Sequence, residues 1–244
     1  MGVVKQSVSN VIDASKKRHL SEFGQEFKPL LYNIWNVSKQ DNDRKHFGAF
    51  PEVFMENLLH YHTEPLDIVF DPFGGGGTTV DVCKRMFRRY YVSDRKVIPG
   101  RESEIKELDI NDGMPSDLPK PKLVFLDPPY WLQAENMYST DKEDLGNMTL
   151  EDFNQSMAEL LKAVSDRKID KVAIVIQPTQ YKNKFDWTDH IFDFDKMLPK
   201  YKIEMRYILP YSTQQYSAQM VEKAKELNKC LGTNRDLVIW HRLK

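Results

Sequence analysis

Cysteine is nearly absent from this sequence: Cys83 and Cys230 are the only two in 244 residues, far apart and with no Cys-x-x-Cys spacing. That pattern argues against a zinc site and for two reduced thiols in a cytoplasmic protein. No uncharged apolar run approaches the ~20 residues that a membrane-spanning helix requires. The opening "MGVVKQSVSN" lacks the apolar stretch of a secretory signal. Internal repeats and low-complexity linkers are missing too. The formal net charge is only −1, so the sum of charges does not announce a polyanionic partner. What remains is a hydrophobic content of 41%, enough for a sizeable core. The length suits one large α/β domain, or one domain with a small appendage.

Charge distribution says more than its sum. Between Lys84 and Arg101 there are seven basic residues (Lys84, Arg85, Arg88, Arg89, Arg95, Lys96 and Arg101) against Asp94 alone, whereas 109–170 is acidic. One reading is a basic face turned to phosphate, and the plainer one is a set of solvated surface charges.

Short apolar runs alternate with amphipathic stretches. Strands are predicted at 67–71, 89–94, 105–110, 122–127, 171–177, 201–211 and 235–242, and helices at 77–89, 149–166 and 216–229. Thr149 is the expected N-cap of the second helix, with Asp152 three residues on. Strands separated by helices imply an α/β fold: a mostly parallel sheet with helices on both faces, its last two strands forming an antiparallel edge pair.

Two strand ends stand out. "DIVFDPFGGGGTTVDV" closes a strand at Asp71, passes four glycines and opens a helix at Thr78-Thr79. Glycines there permit positive φ and close approach of a ligand, and the helix start offers free N–H groups. The Gly-x-Gly-x-x-Gly register and the lysine of a phosphate-binding loop are both lacking. Asp71 would repel a pyrophosphate and suit a cationic amine, which points to a ligand with an amino-acid head such as S-adenosylmethionine. Asp94 ends the next strand about twenty residues on, where an acid can accept ribose hydroxyls. The second strand end is "LVFLDPPYW" (123–131). Its two prolines fix φ twice and remove two donors, leaving acceptors beside the Asp127 carboxylate and the ring of Tyr130.

"DPFGGGGTT" resembles the Asp-Pro-Phe-x-Gly-x-Gly-Thr-Thr signature of the DNA amino-methyltransferases, and "DPPY" resembles their catalytic tetrapeptide. "KHFGAFPEVFMENLL" (45–59) is similar to the segment that precedes the glycine motif in that family, with Gly48 where many members have proline. The resemblance implies a Rossmann-like class I methyltransferase fold with S-adenosylmethionine as cofactor and S-adenosylhomocysteine as its product. It implies binding of that cofactor by His46, Phe50, Asp71, Pro72, Phe73, Gly75, Gly77, Thr78, Asp94 and Asp109. The implied catalytic set is Asp127, Pro128, Pro129 and Tyr130, with no metal. Asp127 and a proline carbonyl would accept from the exocyclic amine of a flipped DNA base, and Tyr130 would stack on it by its ring, so that its hydroxyl matters little.

Asp at the head of the tetrapeptide favours adenine N6 over cytosine N4. RNA or protein amine methylation and a non-catalytic DNA-binding subunit are the remaining alternatives. Residues 1–44 are expected to form an extension packed on a methyltransferase domain at 45–244. No separate recognition domain is evident, so target choice falls to 1–44, 131–148, 178–200, or a partner: a second copy or a recognition subunit. Segment 131–148 is expected to be a lid that orders when a base enters, with Trp131 and Tyr138 touching that base. The expected partner is DNA and no membrane.

Overall fold

The computed structural model describes residues 27–36, 50–180, 186–210 and 216–244. Its centre is a seven-stranded sheet. Strands β1 (Ile68–Asp71), β2 (Arg89–Asp94), β3 (Ile105–Glu107), β4 (Leu123–Leu126) and β5 (Lys171–Ile176) are followed by a two-residue hairpin, β6 (Thr179–Gln180) with β7 (Trp187–Thr188), and then by β8 (Tyr201–Pro210) and β9 (Asn234–Arg242). Strand order in the large sheet is β3-β2-β1-β4-β5-β9-β8. The first five are parallel, and β9 runs antiparallel to both β5 and β8. This is a Rossmann-like α/β arrangement, and the antiparallel edge pair stands where the sequence places it.

The central strands are apolar on both faces because both faces are covered. On one, Phe70, Val124, Leu126, Val172, Ile174 and Val238 meet helix α3 (Leu150–Asp166) through Phe153, Met157, Leu160, Leu161 and Val164. On the other, Val69, Leu123, Phe125, Val175, Leu237 and Ile239 meet α1 (Glu52–His62) and α2 (Thr78–Arg85) through Phe54, Met55, Leu58, Leu59 and Val82. Thr149 caps α3, its hydroxyl accepting from Asp152 N at 3.1 Å. Arg85 ties α2 to α1 by donating to Glu52 at 2.7 Å and to Glu56 at 2.8 Å, two acids one helical turn apart.

Two helices lie where the sequence reading placed none: α1, and α4 (Ile191–Met197). The third strand stops at Glu107 and a three-ten turn at Ile110–Asp112 follows. The helix expected at 216–229 is α5, Ala218–Glu226. Part of the expected extension 1–44 is described, at 27–36. There Trp35 is fully buried, and its N–H donates to Ile208 O at 2.9 Å beside β8. Among the described residues no helix is long and apolar enough to cross a membrane.

This topology decides where a site belongs. From β1 the chain steps outward through β2 to β3, then returns to β4 on the other side of β1. The crevice beyond the carboxyl ends of β1 and β4 is where ligands sit in open α/β sheets. The glycine turn and the Asp-Pro-Pro-Tyr tetrapeptide both open from those two strand ends.

Candidate active site

Asp71, last residue of β1, is buried and organises the turn that follows it. Its Oδ1 accepts from Phe73 N at 2.9 Å and its Oδ2 from the Thr79 hydroxyl at 2.5 Å, which ties the strand end to the first turn of α2. Burial is the main reason its carboxyl is pushed up to about 7, and the nearby Asp94 adds to the shift. Pro72 is buried and Phe73 packs on the α3 side of the core. Gly75 and Gly77 have φ of 45° and 83°, the left-handed region that glycine enters without strain. Gly77 is the N-cap of α2, so Thr78 and its neighbours present free N–H groups to the crevice. Gly74 is needed for a different reason: a Cβ there would lie 2.3 Å from Val92 Cγ1.

Asp94 closes the crevice on the β2 side, accepting from Gly75 N at 2.7 Å and Lys96 N at 3.0 Å. Asp109 caps the three-ten turn, accepting from Asn111 N at 2.9 Å, and pairs with Arg95 at 2.9 Å. Phe50 stacks on Phe54 at 4.6 Å and meets Phe125 edge-on at 6.3 Å, on the α1 side of the sheet. His46 lies outside the described residues.

Asp127 follows β4 with Pro128 and Pro129. Burial drives its carboxyl up to about 7. Arg235 and a hydrogen bond from the Tyr130 side chain pull it the other way, and Asp71 pushes it further up. Asp71, Asp94 and Asp127 therefore form one acidic crevice spanning the ends of β1, β2 and β4. Such a crevice suits a ligand that is cationic at one end and hydroxyl-bearing at the other. The two half-buried ends of Tyr130 have separate tasks. Its ring packs between both core layers, and its hydroxyl is engaged with Asp127, so the ring alone does not account for this residue. Tyr138, 45% exposed, lies close enough to Asp127, Asp94 and Asp144 for their charges to raise its phenol further after burial has done so.

Segment 131–148 carries its own framework. Asn147 donates to the carbonyls of Ser139 and Asp141 at 3.0 and 2.7 Å, and Asp144 accepts from the Ser139 hydroxyl at 2.9 Å and from Gly146 N at 3.0 Å. Arg95 reaches across from the end of β2 to Asp141 at 2.6 Å. Trp131 is not poised over a base. It is 3% exposed, packs in the core, and donates from Nε1 to Met148 O at 2.9 Å.

Of the two readings of segment 84–101, a free basic face fits less well than the plainer one of surface charges. Six of its seven cations are engaged inside the fold: Arg85 with Glu52 and Glu56, Lys84 with Glu104, and Arg101 with Asp81 and Glu104. Arg88 caps the carbonyls of Met86 and Thr63, Arg89 donates to Leu66 O, and Arg95 bridges Asp109 and Asp141. They hold elements together, while Lys84, Arg89 and Arg95 stay on the surface. Arg235, by contrast, was not singled out in the sequence; its guanidinium lies over the Phe50 ring and its charge acts on Asp127. The available signal was the antiparallel last strand, which must begin where the parallel ones end.

Comparison with known proteins agrees with the motifs. The family model described as DNA methylase matches residues 4–96. Type II methyltransferase M.XycI of Xanthomonas campestris pv. cyanopsidis is 40% identical over 58 residues, 24% of this chain and 19% of that protein. Type II methyltransferase M.BglII of Bacillus subtilis is 39% identical over 70 residues, 29% of this chain and 17% of that one. Orphan methyltransferase M.BamHII of Bacillus amyloliquefaciens is 34% identical over 91 residues, 32% of each chain. The matched segments thus span a third or less of these relatives. Among solved structures, a Burkholderia thailandensis 1,6-didemethyltoxoflavin-N1-methyltransferase with bound S-adenosylhomocysteine aligns over 79% of this chain and 78% of its own, with a TM-score of 0.49 and 9% identity.

Proposed function

We propose that this chain, which carries motifs similar to those of the DNA amino-methyltransferases, methylates an exocyclic amine of a flipped DNA base, with adenine N6 as the target. The observation that carries the reading is the junction of two strand ends at the switch point of the sheet. The glycine turn after β1 and Asp127-Pro128-Pro129-Tyr130 after β4 face one crevice. The acid at the head of the tetrapeptide supports adenine over cytosine.

The residues present suit S-adenosylmethionine. Gly75, Gly77 and the start of α2 leave backbone room, Asp71 braces the turn from behind through Phe73 N and the Thr79 hydroxyl, and Asp94 offers a carboxylate at the end of β2. That cofactor supplies a sulfonium methyl to the lone pair of the amine, and the sulfur keeps the electrons of the broken bond. Asp127 accepts a hydrogen bond from the amine N–H, and the proline pair adds carbonyl acceptors without competing donors. Two acceptors draw a poorly nucleophilic amine toward tetrahedral geometry and aim its lone pair. One Asp127 oxygen takes the proton that the methylated nitrogen sheds. The Tyr130 ring supports the base, offsetting part of the unstacking cost of a few kcal/mol.

The test is transfer of labelled methyl from S-adenosylmethionine to duplex DNA, single-stranded DNA and total RNA, with nucleoside analysis of the product. N6-methyladenine in DNA, lost in Asp127→Ala, is the expected result. N4-methylcytosine would move the target base, and label in RNA alone would overturn the reading.

A further inference from the structure

Strand β9 runs against the parallel strands, so its first residues lie where those strands finish: Ile176, the last residue of β5, is paired with Asp236. Side chains alternate along a strand. Leu237 and Ile239 face the α1 layer, and Arg235, two residues before Leu237, points to the same side. There its guanidinium lies over the Phe50 ring, Cζ 4.4 Å from the centroid. Phe50 is itself held by Phe54 and Phe125, and Phe125 precedes Asp127 by two residues. Asp236, on the opposite face, is met by Arg206 at 2.9 Å.

Among the described residues, the other titratable groups found to interact with the Asp127 carboxyl are one acid and two phenols. Asp71 of β1 opposes its ionisation, Tyr130 donates one hydrogen bond, and Tyr138 and Asp94 share the same neighbourhood. Among the described residues, Arg235 is the one cation found to act on Asp127. A guanidinium stays charged throughout the physiological range, and an aromatic face fixes its plane.

We propose that Arg235 is a positioning residue for methyl transfer, its guanidinium seated on Phe50 and holding Asp127 as the anion that accepts the amine. This rests on the reading of Asp127 given above. Burial pushes the Asp127 carboxyl up to about 7 even with Arg235 in place, so without that cation a larger share of Asp127 would carry a proton at neutral pH, a donor where an acceptor is required. Phe50 then serves as the seat for that cation, and its place in the sequence motif follows from packing.

The experiment is Arg235→Leu in the full chain, read in two ways. The Asp127 carboxyl is titrated by carbon NMR, and kcat and KM are measured against pH. An opposite charge within about 4 to 6 Å of a carboxylate is worth about 1 to 3 pH units. The Asp127 titration and the acid limb of kcat should both rise by about one unit or more. At a pH on that limb, kcat should fall roughly tenfold with KM for the cofactor unchanged. Arg235→Lys should restore most of the shift. If the leucine variant does not fold, Arg235→Gln keeps a planar amide over Phe50 without charge and carries the same expectation. An unchanged Asp127 titration in a folded, uncharged variant overturns the inference. Full turnover in Asp127→Asn would instead remove the reading beneath it, whatever Arg235 does to the titration.

Discussion

Gly74→Ala tests whether the glycine turn is built by close approach to β2. Gly74 N donates to Ser93 O at 2.8 Å, pressing the turn against the end of that strand. An added Cβ would meet Val92 Cγ1 at 2.3 Å and Ser93 O at 3.1 Å. Val92 is 1% exposed and hemmed in by Val80 and Ile105, so its methyl has no free direction to turn. Forcing one extra carbon into a packed core typically costs about 1 to 3 kcal/mol. For a protein of this size each kcal/mol is about 2 to 4 °C in Tm, so a fall of roughly 2 to 12 °C is expected. The displaced turn carries Gly75, Gly77 and the bond from Gly75 N to Asp94, so cofactor affinity measured by calorimetry should fall as well. Val92→Ala removes the obstructing methyl and costs about 1 kcal/mol or more alone through the space it leaves. Combined with Gly74→Ala it should cost less than the sum of the two. Unchanged Tm and affinity in Gly74→Ala, or strict additivity in the double variant, would refute the reasoning.

Asp127→Ala should leave cofactor affinity near the original while removing about 3 kcal/mol or more of transition-state stabilisation, seen as a fall in kcat in single-turnover assays. Tyr130→Phe removes a hydrogen bond to Asp127, so the acid limb of the pH–rate profile should move to higher pH; a variant that only weakens base affinity would show that the hydroxyl has no part. Asp71, pushed up to about 7, keeps its proton in the folded state above its ordinary value of 3.8, so its contribution to stability falls as pH rises through that window. Buried His62 and His190, held down to about 4, act oppositely, and their contribution grows as pH rises toward 6.5. Urea midpoints of Asp71→Asn should therefore climb more steeply from pH 4 to 6.5 than those of the parent, by up to about 1.4 kcal/mol per pH unit, and superimposable curves would contradict this. Arg95→Ala should alter stability by under about 1 kcal/mol, since its pairs are partly exposed, yet speed amide exchange within 136–146.

Most of the sheet was readable because its strands are covered on both faces and appear as unbroken apolar runs such as Leu123–Leu126. Helix α1 was not, and the reason is its burial. Phe54, Met55, Glu56, Asn57, Leu58 and Leu59 are all buried, so the segment shows no single apolar stripe from which a helical period could be taken. Helix α4, Ile-Phe-Asp-Phe-Asp-Lys-Met, alternates apolar and acidic residues like a strand. The basic run from Lys84 to Arg101 is engaged partly by acids remote in sequence, Glu52 and Glu56 before it and Asp109 and Asp141 after it, which its local pattern could not show, and partly by the near Asp81 and Glu104. The motif residues were legible because backbone demands fix them locally. Arg235 was not, since its meaning depends on the direction in which its strand enters the sheet.

That direction also governs when the protein becomes competent as it leaves the ribosome. Strand β9 lies inside the sheet, between β5 and the earlier-made β8. Until residues 234–242 have emerged, β8 has no strand beside it in the large sheet, and the open edge of β5 is an apolar ledge with unpaired backbone groups. A chain stalled before Asn234 would carry both sequence signatures complete and still lack the strand that brings Arg235 to Asp127. Chaperones that recognise open strand edges would meet that nascent chain, and the large sheet would close only once β9 is in place.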